Sequence, residues 1–138
     1  QENCTIHMFP GTEVLLKQDA HIGHGAIIHG ATIGRNVLVG MNSVIMDNAN
    51  IGDECIVGAL SFIAADTVTE KRKILVGNPA KAIKDVSEEM IAWKTKGTQL
   101  YQKLPQECKQ TLKPCEPLQR VAPFETGQAQ DYAVWKKA

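Results

Sequence analysis

The chain has 138 residues, with fifteen Lys and Arg balanced by fifteen Asp and Glu, and 43% of it is hydrophobic. That length is one ordinary domain. A chain of zero net charge has no field to draw it to nucleic acid or an anionic membrane, and no apolar run nears the ~20 residues of a bilayer span. Gln1–Pro10 lacks the basic patch and apolar core of an export signal, so a membrane protein, a disordered chain and a secreted precursor are all disfavoured. Aromatic residues are only 5%, so something regular and narrow must replace a bulky interior.

In chain order, residues 1–7 read as a strand. Residues 8–21 (MFPGTEVLLKQDAH) carry Pro10, Gly11 and Asp19, keep no rhythm, and are expected to project as a loop. From Ile22 an aliphatic residue returns every six positions: Ile22, Ile28, Ile33, Val39, Ile45, Ile51, Val57 and Ile63, with one five-residue step after Ile28. Glycine follows at Gly23, Gly34, Gly40, Gly52 and Gly58. A small residue commonly stands four positions on, at Ala26, Val37, Ser43, Ala49, Cys55, Ser61 and Thr67. Helices repeat at 3.6 and amphipathic strands at two. A period of six means short strands that turn a corner after each unit, three units closing one coil, with the aliphatic residue in a narrow bore. Glycine is expected to relieve strain at the corner. The pattern predicts a hexapeptide parallel β-helix over residues 1–83, in preference to a sandwich of short strands.

After Val68 the charged stretch TEKRK leads into Ile74–Ile83, an apolar strand expected to stop at Pro79. Residues 84–112 are expected to be helical. Asp85 and Ser87 are cap candidates, Glu88 and Glu89 suit the positive end of the dipole, and Gly97 is a point where the helix can break. Pro105, Pro114, Pro117 and Pro123 then divide the remainder, and residues 113–138 read as an extended tail strapped over another surface. So short a coil has exposed ends and flat faces. The helix can cover one face, and self-association is expected to cover another, as a homotrimer because the coil is a triangular prism.

All four histidines fall in the first thirty residues: His7, His21, His24 and His29. Imidazole suits zinc, and three such ligands leave a fourth position for water. His24 and His29 lie on successive units of one coil, separated by a corner, so one chain cannot easily aim both at one ion. A trimer can, by placing the metal between chains. On residues alone, that site stands level with histidines that are only surface or interface groups.

The segment HIGHGAIIHGATIGRNVLVGMNSVIMD, preceded by QENCTIH, resembles the gamma-class carbonic anhydrases and their relatives. SEEMIAWKTKGTQLYQKLPQECKQTLKPCEPL is similar to the PaaY and CaiE branch of that group, the proteins of phenylacetic acid degradation and of the carnitine operon. The resemblance covers about residues 1–120. It implies a left-handed β-helix, trimeric, with Zn2+ (or Fe2+ or Co2+) at each subunit interface. Carried over by position, His7 and His29 come from one chain and His24 from the next, while His21 has no counterpart among the ligands. Gln1 falls where the family has a glutamine that orients the metal-bound water. Two departures stand out. The family's Arg-Gly-Asp segment lies before Gln1, and Pro10 occupies the position of the archetype's acidic proton shuttle, leaving Glu13 as the nearest carboxylate.

The expected function is a metal-dependent hydrolase or hydratase. Zinc on three neutral imidazoles lowers the pKa of its water to about 7, and the resulting hydroxide attacks CO2 or an acyl-CoA thioester. The alternatives are a metal-free acyltransferase with one histidine as general base, and a non-catalytic accessory protein of a CoA-linked catabolic pathway. Reduced thiols and a cytoplasmic location are expected for Cys4, Cys55, Cys108 and Cys115. Cys55 is read as packing, Lys71–Lys73 as a solvated corner or a CoA phosphate contact, and Arg35 as pairing with an acid of a neighbouring subunit. Trp93, Tyr101 and Trp135 are read as anchors of helix and tail.

Overall fold

A computed structural model describes residues 1–120 and Trp135. Ten short strands run up the coil: β1 (Thr5–His7), β2 (Leu15–Leu16), β3 (His21–Ile22), β4 (Ile27–His29), β5 (Thr32–Ile33), β6 (Leu38–Val39), β7 (Val44–Ile45), β8 (Asn50–Ile51), β9 (Ile56–Val57) and β10 (Phe62–Ile63). They stack as three parallel faces, β1-β4-β7-β10, β2-β5-β8 and β3-β6-β9, the last extended by β11 (Lys73–Gly77) and β12 (Ala80–Asp85). The result is a left-handed parallel β-helix of about four turns with one C-terminal helix, α1 (Glu88–Thr111).

The register explains the one slip in the repeat. Val44 pairs with Phe62, eighteen residues on, whereas Ile27 pairs with Val44, seventeen on, because the five-residue step falls between them. The coil below holds twenty-two, from Thr5 to Ile27. Four extra residues are therefore extruded, and they lie within residues 8–14. The expected loop of residues 8–21 is too long: Leu15 and Leu16 are already back in the coil, paired with Thr32 and Ile33.

All eight repeating aliphatic residues are buried in the bore, Ile28, Ile33, Val39, Ile45 and Ile51 completely. Small residues beside them close the corners and are satisfied there: Ser43 Oγ donates to the Gly58 carbonyl at 2.9 Å, and Cys55 Sγ to that of Glu70 at 3.1 Å. The glycines act differently from the expectation. The left-handed backbone is taken two positions later, at Asn36, Asn42, Asn48, Glu54, Leu60, Asp66 and Arg72, with φ of 53–61°. Gly40 has no positive φ; a Cβ there would lie 2.4 Å from the Ala59 nitrogen and 2.7 Å from the Val57 carbonyl oxygen. Glycine is needed because the next coil's backbone passes too close for a side chain.

The strand stops at Gly77, just before Pro79, but the chain stays in the sheet: Asn78 and Pro79 turn it into β12 as an antiparallel hairpin, with Gly77 opposite Ala80. Ser87, the true N-cap of α1, accepts from the Met90 N–H at 3.3 Å, while Asp85 is held by Lys73 at 2.7 Å. The helix then runs back along one edge of the prism, where Arg72, Glu54, Asn36 and Asp19 stand one above another. Arg72 pairs with Glu88, Asn36 Nδ2 donates to Thr95 at 2.9 Å, and Gln102 donates to the Asp19 carboxylate at 2.8 Å. Gly97 does not break the helix, because Lys94 and Thr98 pin the turn around it to the coil. Pro105 removes one bond, to the Tyr101 carbonyl, in a stretch exposed from Tyr101 onward where water can replace it. From Lys113 to Arg120 the chain is exposed and lies outside any helix or strand, and its remainder lies outside the described residues apart from Trp135, whose ring centroid is 5.9 Å from that of Trp93.

Candidate active site

Strand alternation builds the first half of the site. In the β1–β4 pairing, Ile6 is opposite Ile28, whose side chain enters the bore, so the flanking pair His7 and His29 projects outward together. The two rings meet, His7 Nδ1 lying 3.0 Å from His29 Nε2. Asp47, on the coil above, takes the other side of His29, its Oδ1 being 2.8 Å from Nδ1. A carboxylate only accepts here, so His29 Nδ1 carries a proton; in the neutral ring Nε2 is then the acceptor, and His7 Nδ1 donates across the 3.0 Å contact. Phe9, from the extruded loop, sets its ring edge against His29 with centroids 4.8 Å apart.

His24 stands in the turn that precedes β4, at the opposite edge of that sheet face from His29. Its Nδ1 is 2.8 Å from Glu2 Oε2, and its backbone N–H donates to Gln1 Oε1 at 3.0 Å. Gln1 therefore belongs to the His24 corner and not to the His7–His29 pair. Its amide nitrogen meets His21 Nε2 at 2.9 Å, while His21 Nδ1 meets Thr98 at 3.0 Å and the ring lies against Tyr101. Burial, and then the Lys94 ammonium, hold His21 down to about pKa 4. Lys94 is itself buried and donates to the Asp19 carbonyl and to Asn36; desolvation lowers it to about 8 against the pull of Asp19. These two groups fasten the helix and lie away from the histidine pair. Glu13 lines an open hollow with Gly30, Thr32 and Asn48, beside the His29–Asp47 corner but with no histidine in its wall.

The donor set at the pair fits a borderline cation. Nitrogens 3.0 Å apart are near the ~3.3 Å edge of a tetrahedron with zinc–nitrogen bonds of ~2.05 Å. Among the described residues no group of three His, Cys, Asp or Glu converges within one chain, so the pair by itself is not a complete metal site.

Other residues differ from expectation. Arg35 pairs within its own chain: its guanidinium binds Asp53 at 2.7 Å, which raises the arginine pKa, while the Arg35 backbone N–H and then the guanidinium lower that of the aspartate. Arg72 and Lys73 are tied down, the first by Glu54 and Glu88, the second by Glu70 and Asp85. Cys55 is buried, its thiol pushed up by desolvation, and all four cysteines are free. Among the described residues no helix is long and apolar enough to cross a membrane. Sequence reading missed Asp47. The signal that finds it is the coil length, which changes from seventeen residues along β4 to eighteen at the corner where Asn48 bonds to Gly30, and so brings Asp47 beside His29.

The model of the bacterial transferase hexapeptide, six repeats, matches residues 30–65. Carnitine operon protein CaiE of Escherichia coli K12 is 46% identical over 121 residues, 88% of this chain and 62% of the relative. The chain belongs to the hexapeptide-repeat proteins. It spans about three fifths of the length of the curated relatives it matches. Among solved structures, this hexapeptide-repeat protein is similar to a hexapeptide transferase family protein of Anaplasma phagocytophilum, with TM-score 0.73 and 28% identity over 78% of this chain and 63% of that one. A putative acetyltransferase of Bacillus cereus gives TM-score 0.63 and 30% identity over 73% and 63%.

Proposed function

We propose that this protein is a metal-dependent hydrolase or hydratase of the gamma-carbonic-anhydrase-like type, a homotrimer that acts on an acyl-CoA thioester or on CO2 between subunits. The carrying observation is the His7–His29 pair, with one His29 nitrogen tied to Asp47 and the other left facing His7. His24 lies at the far edge of the same sheet face. A three-fold array of these faces sets one edge against the neighbour's opposite edge, so His24 of the next copy completes the set. His7, His29 and that His24 would hold zinc, iron or cobalt. Bound there, the ion acts as a Lewis acid that lowers the pKa of coordinated water to about 7. Gln1 travels with His24 and offers its amide at the same seam, while exposed Met8 and Phe9 supply an apolar wall for an acyl chain. Pro10 cannot carry a proton, so CO2 hydration is expected to be slow.

Mixing chains tests this. His24→Ala and His29→Ala trimers are each expected to lose metal and turnover. Co-refolded one to one, they should regain about a quarter of the sites, because a seam between an intact His7–His29 pair and an intact His24 is whole. No recovery, or full activity in metal-free wild type, overturns the reading. A second reading is acyl transfer, supported by the names of the two structural relatives and by the His29–Asp47 pair, which suits a general base. Under it the metal-free protein releases CoA only when an acceptor hydroxyl or amine is supplied.

A further inference from the structure

We infer that Asp47 is a positioning residue: it fixes His29 as the Nδ1–H tautomer and so keeps Nε2 available to a cation shared with His7, before any neighbouring chain contributes. This rests on the metal-site reading above. Three observations carry it. Asp47 Oδ1 is 2.8 Å from His29 Nδ1, and both side chains are largely shielded, at 17% and 21% exposure. The backbone around Asp47 is fixed on both sides, its carbonyl accepting from the Asp66 N–H at 2.9 Å and the next residue, Asn48, donating to the Gly30 carbonyl at 2.9 Å. Space for the carboxylate depends on Gly30, where an added Cβ would sit 2.7 Å from Asp47 Oδ1, and Gly30 has the left-handed φ of 57°. The corner is shaped around this hydrogen bond.

The chemistry follows from which nitrogen carries the proton. An imidazole that donates from Nδ1 presents an unprotonated Nε2, and a carboxylate on the far nitrogen also raises its basicity as a ligand. With the carboxylate in place the proton between the rings belongs to His7 and leaves by a change of that ring's own tautomer; without it the proton can belong to His29 Nε2, and has to return to an Nδ1 that has no acceptor before a cation can enter.

Nitrogen-15 spectra of the histidine rings, taken on the metal-free oligomer at about pH 8, above the ordinary histidine range, read the tautomer directly. Wild type is expected to show His29 as Nδ1–H, and Asp47→Ala to shift it toward Nε2–H. Asp47→Asn should keep the wild-type pattern, because its amide oxygen still accepts, and it also serves as the folded control if the alanine variant is unstable. Zinc affinity by competition with a chelator should fall 10- to 100-fold in Asp47→Ala and recover in large part in Asp47→Asn. A wild-type His29 found as Nε2–H, or a tautomer that Asp47→Ala leaves unchanged, overturns the role of Asp47 whatever the metal result. A wild-type oligomer that shows the expected tautomers but takes up no zinc, iron or cobalt leaves the tautomer role standing and refutes the metal-site reading.

Discussion

His21 makes acid stability a test of how the helix is fastened. Its pKa is lowered to about 4, first by burial and then by the Lys94 ammonium. An unfolded histidine binds its proton near pH 6.5, and the native one does so only near pH 4, so between those values the unfolded state holds more protons. Stability must therefore fall as pH falls through that window. The gap of about two and a half pH units, at ~1.4 kcal/mol each, bounds the loss at about 3 kcal/mol; His21 is only half-buried, and solvent screening brings the expected share to about 1–2 kcal/mol. Urea unfolding of wild type and His21→Gln, at fixed protein concentration because an oligomer's stability depends on it, gives the comparison. His7, His24 and His29 are present in both chains and cancel in the difference. Wild type should lose stability more steeply than His21→Gln between about pH 6.5 and 4.5. Parallel profiles would mean that His21 is not held neutral against the helix, and the reasoning fails.

Three further outcomes follow from the same structure. Gly40→Ala should lower stability by about 1–3 kcal/mol in urea unfolding, since its Cβ would meet the next coil's backbone at 2.4 Å; a neutral result would remove close stacking as the reason for the glycine. Lys94, lowered to about 8 from 10.5, is protonated in the unfolded chain but not in the native one between those values, so wild type should gain stability as pH rises across them. The test is that Lys94→Met, which has nothing to titrate there, flattens the rise. Leu60 holds φ of 61° with 74% of its surface exposed, so Leu60→Gly should raise the melting temperature, by the equivalent of about 0.5–1 kcal/mol; a fall would show that the Leu side chain contributes more than its backbone strain costs.

The bore was legible because burial selects for one property at one position per unit. Ile22 through Ile63 recur in the sequence as they do in the structure, and all eight are buried. The helix was legible over 84–112, but its continuity through Gly97 and the hairpin after β11 were not, for a shared reason: the local preferences of glycine and proline do not contain the distant contacts that decide both. Pro79 sits in a two-strand turn whose second strand, β12, is held by register with β11, which no local rule can see. Gly97 costs roughly 1 kcal/mol in a helix, but Lys94 and Thr98, on either side of it, bond to Asp19, Asn36 and His21 from distant parts of the chain.

The polar half of the site follows a second period that the aliphatic repeat conceals. One full coil is three units, so a residue eighteen positions on stands directly above, one strand spacing of ~4.8 Å away. Arg35 meets Asp53, Arg72 meets Glu54, Asn48 meets Asp66 and His29 meets Asp47, every pair eighteen residues apart. A reading at six sees a core; the same sequence read at eighteen gives the partners of its charged corners. The His7–His29 pair escapes both periods, since the extruded loop stretches that interval to twenty-two. The loop that hides the pair from the repeat also brings Phe9 against His29. Shortening residues 8–14 by four would restore an eighteen-residue coil and leave His7 under His29 while removing that ring. Such a variant separates the two contributions of the insertion: if the imidazole pair depends only on strand register, it survives the deletion, and only the apolar wall is lost.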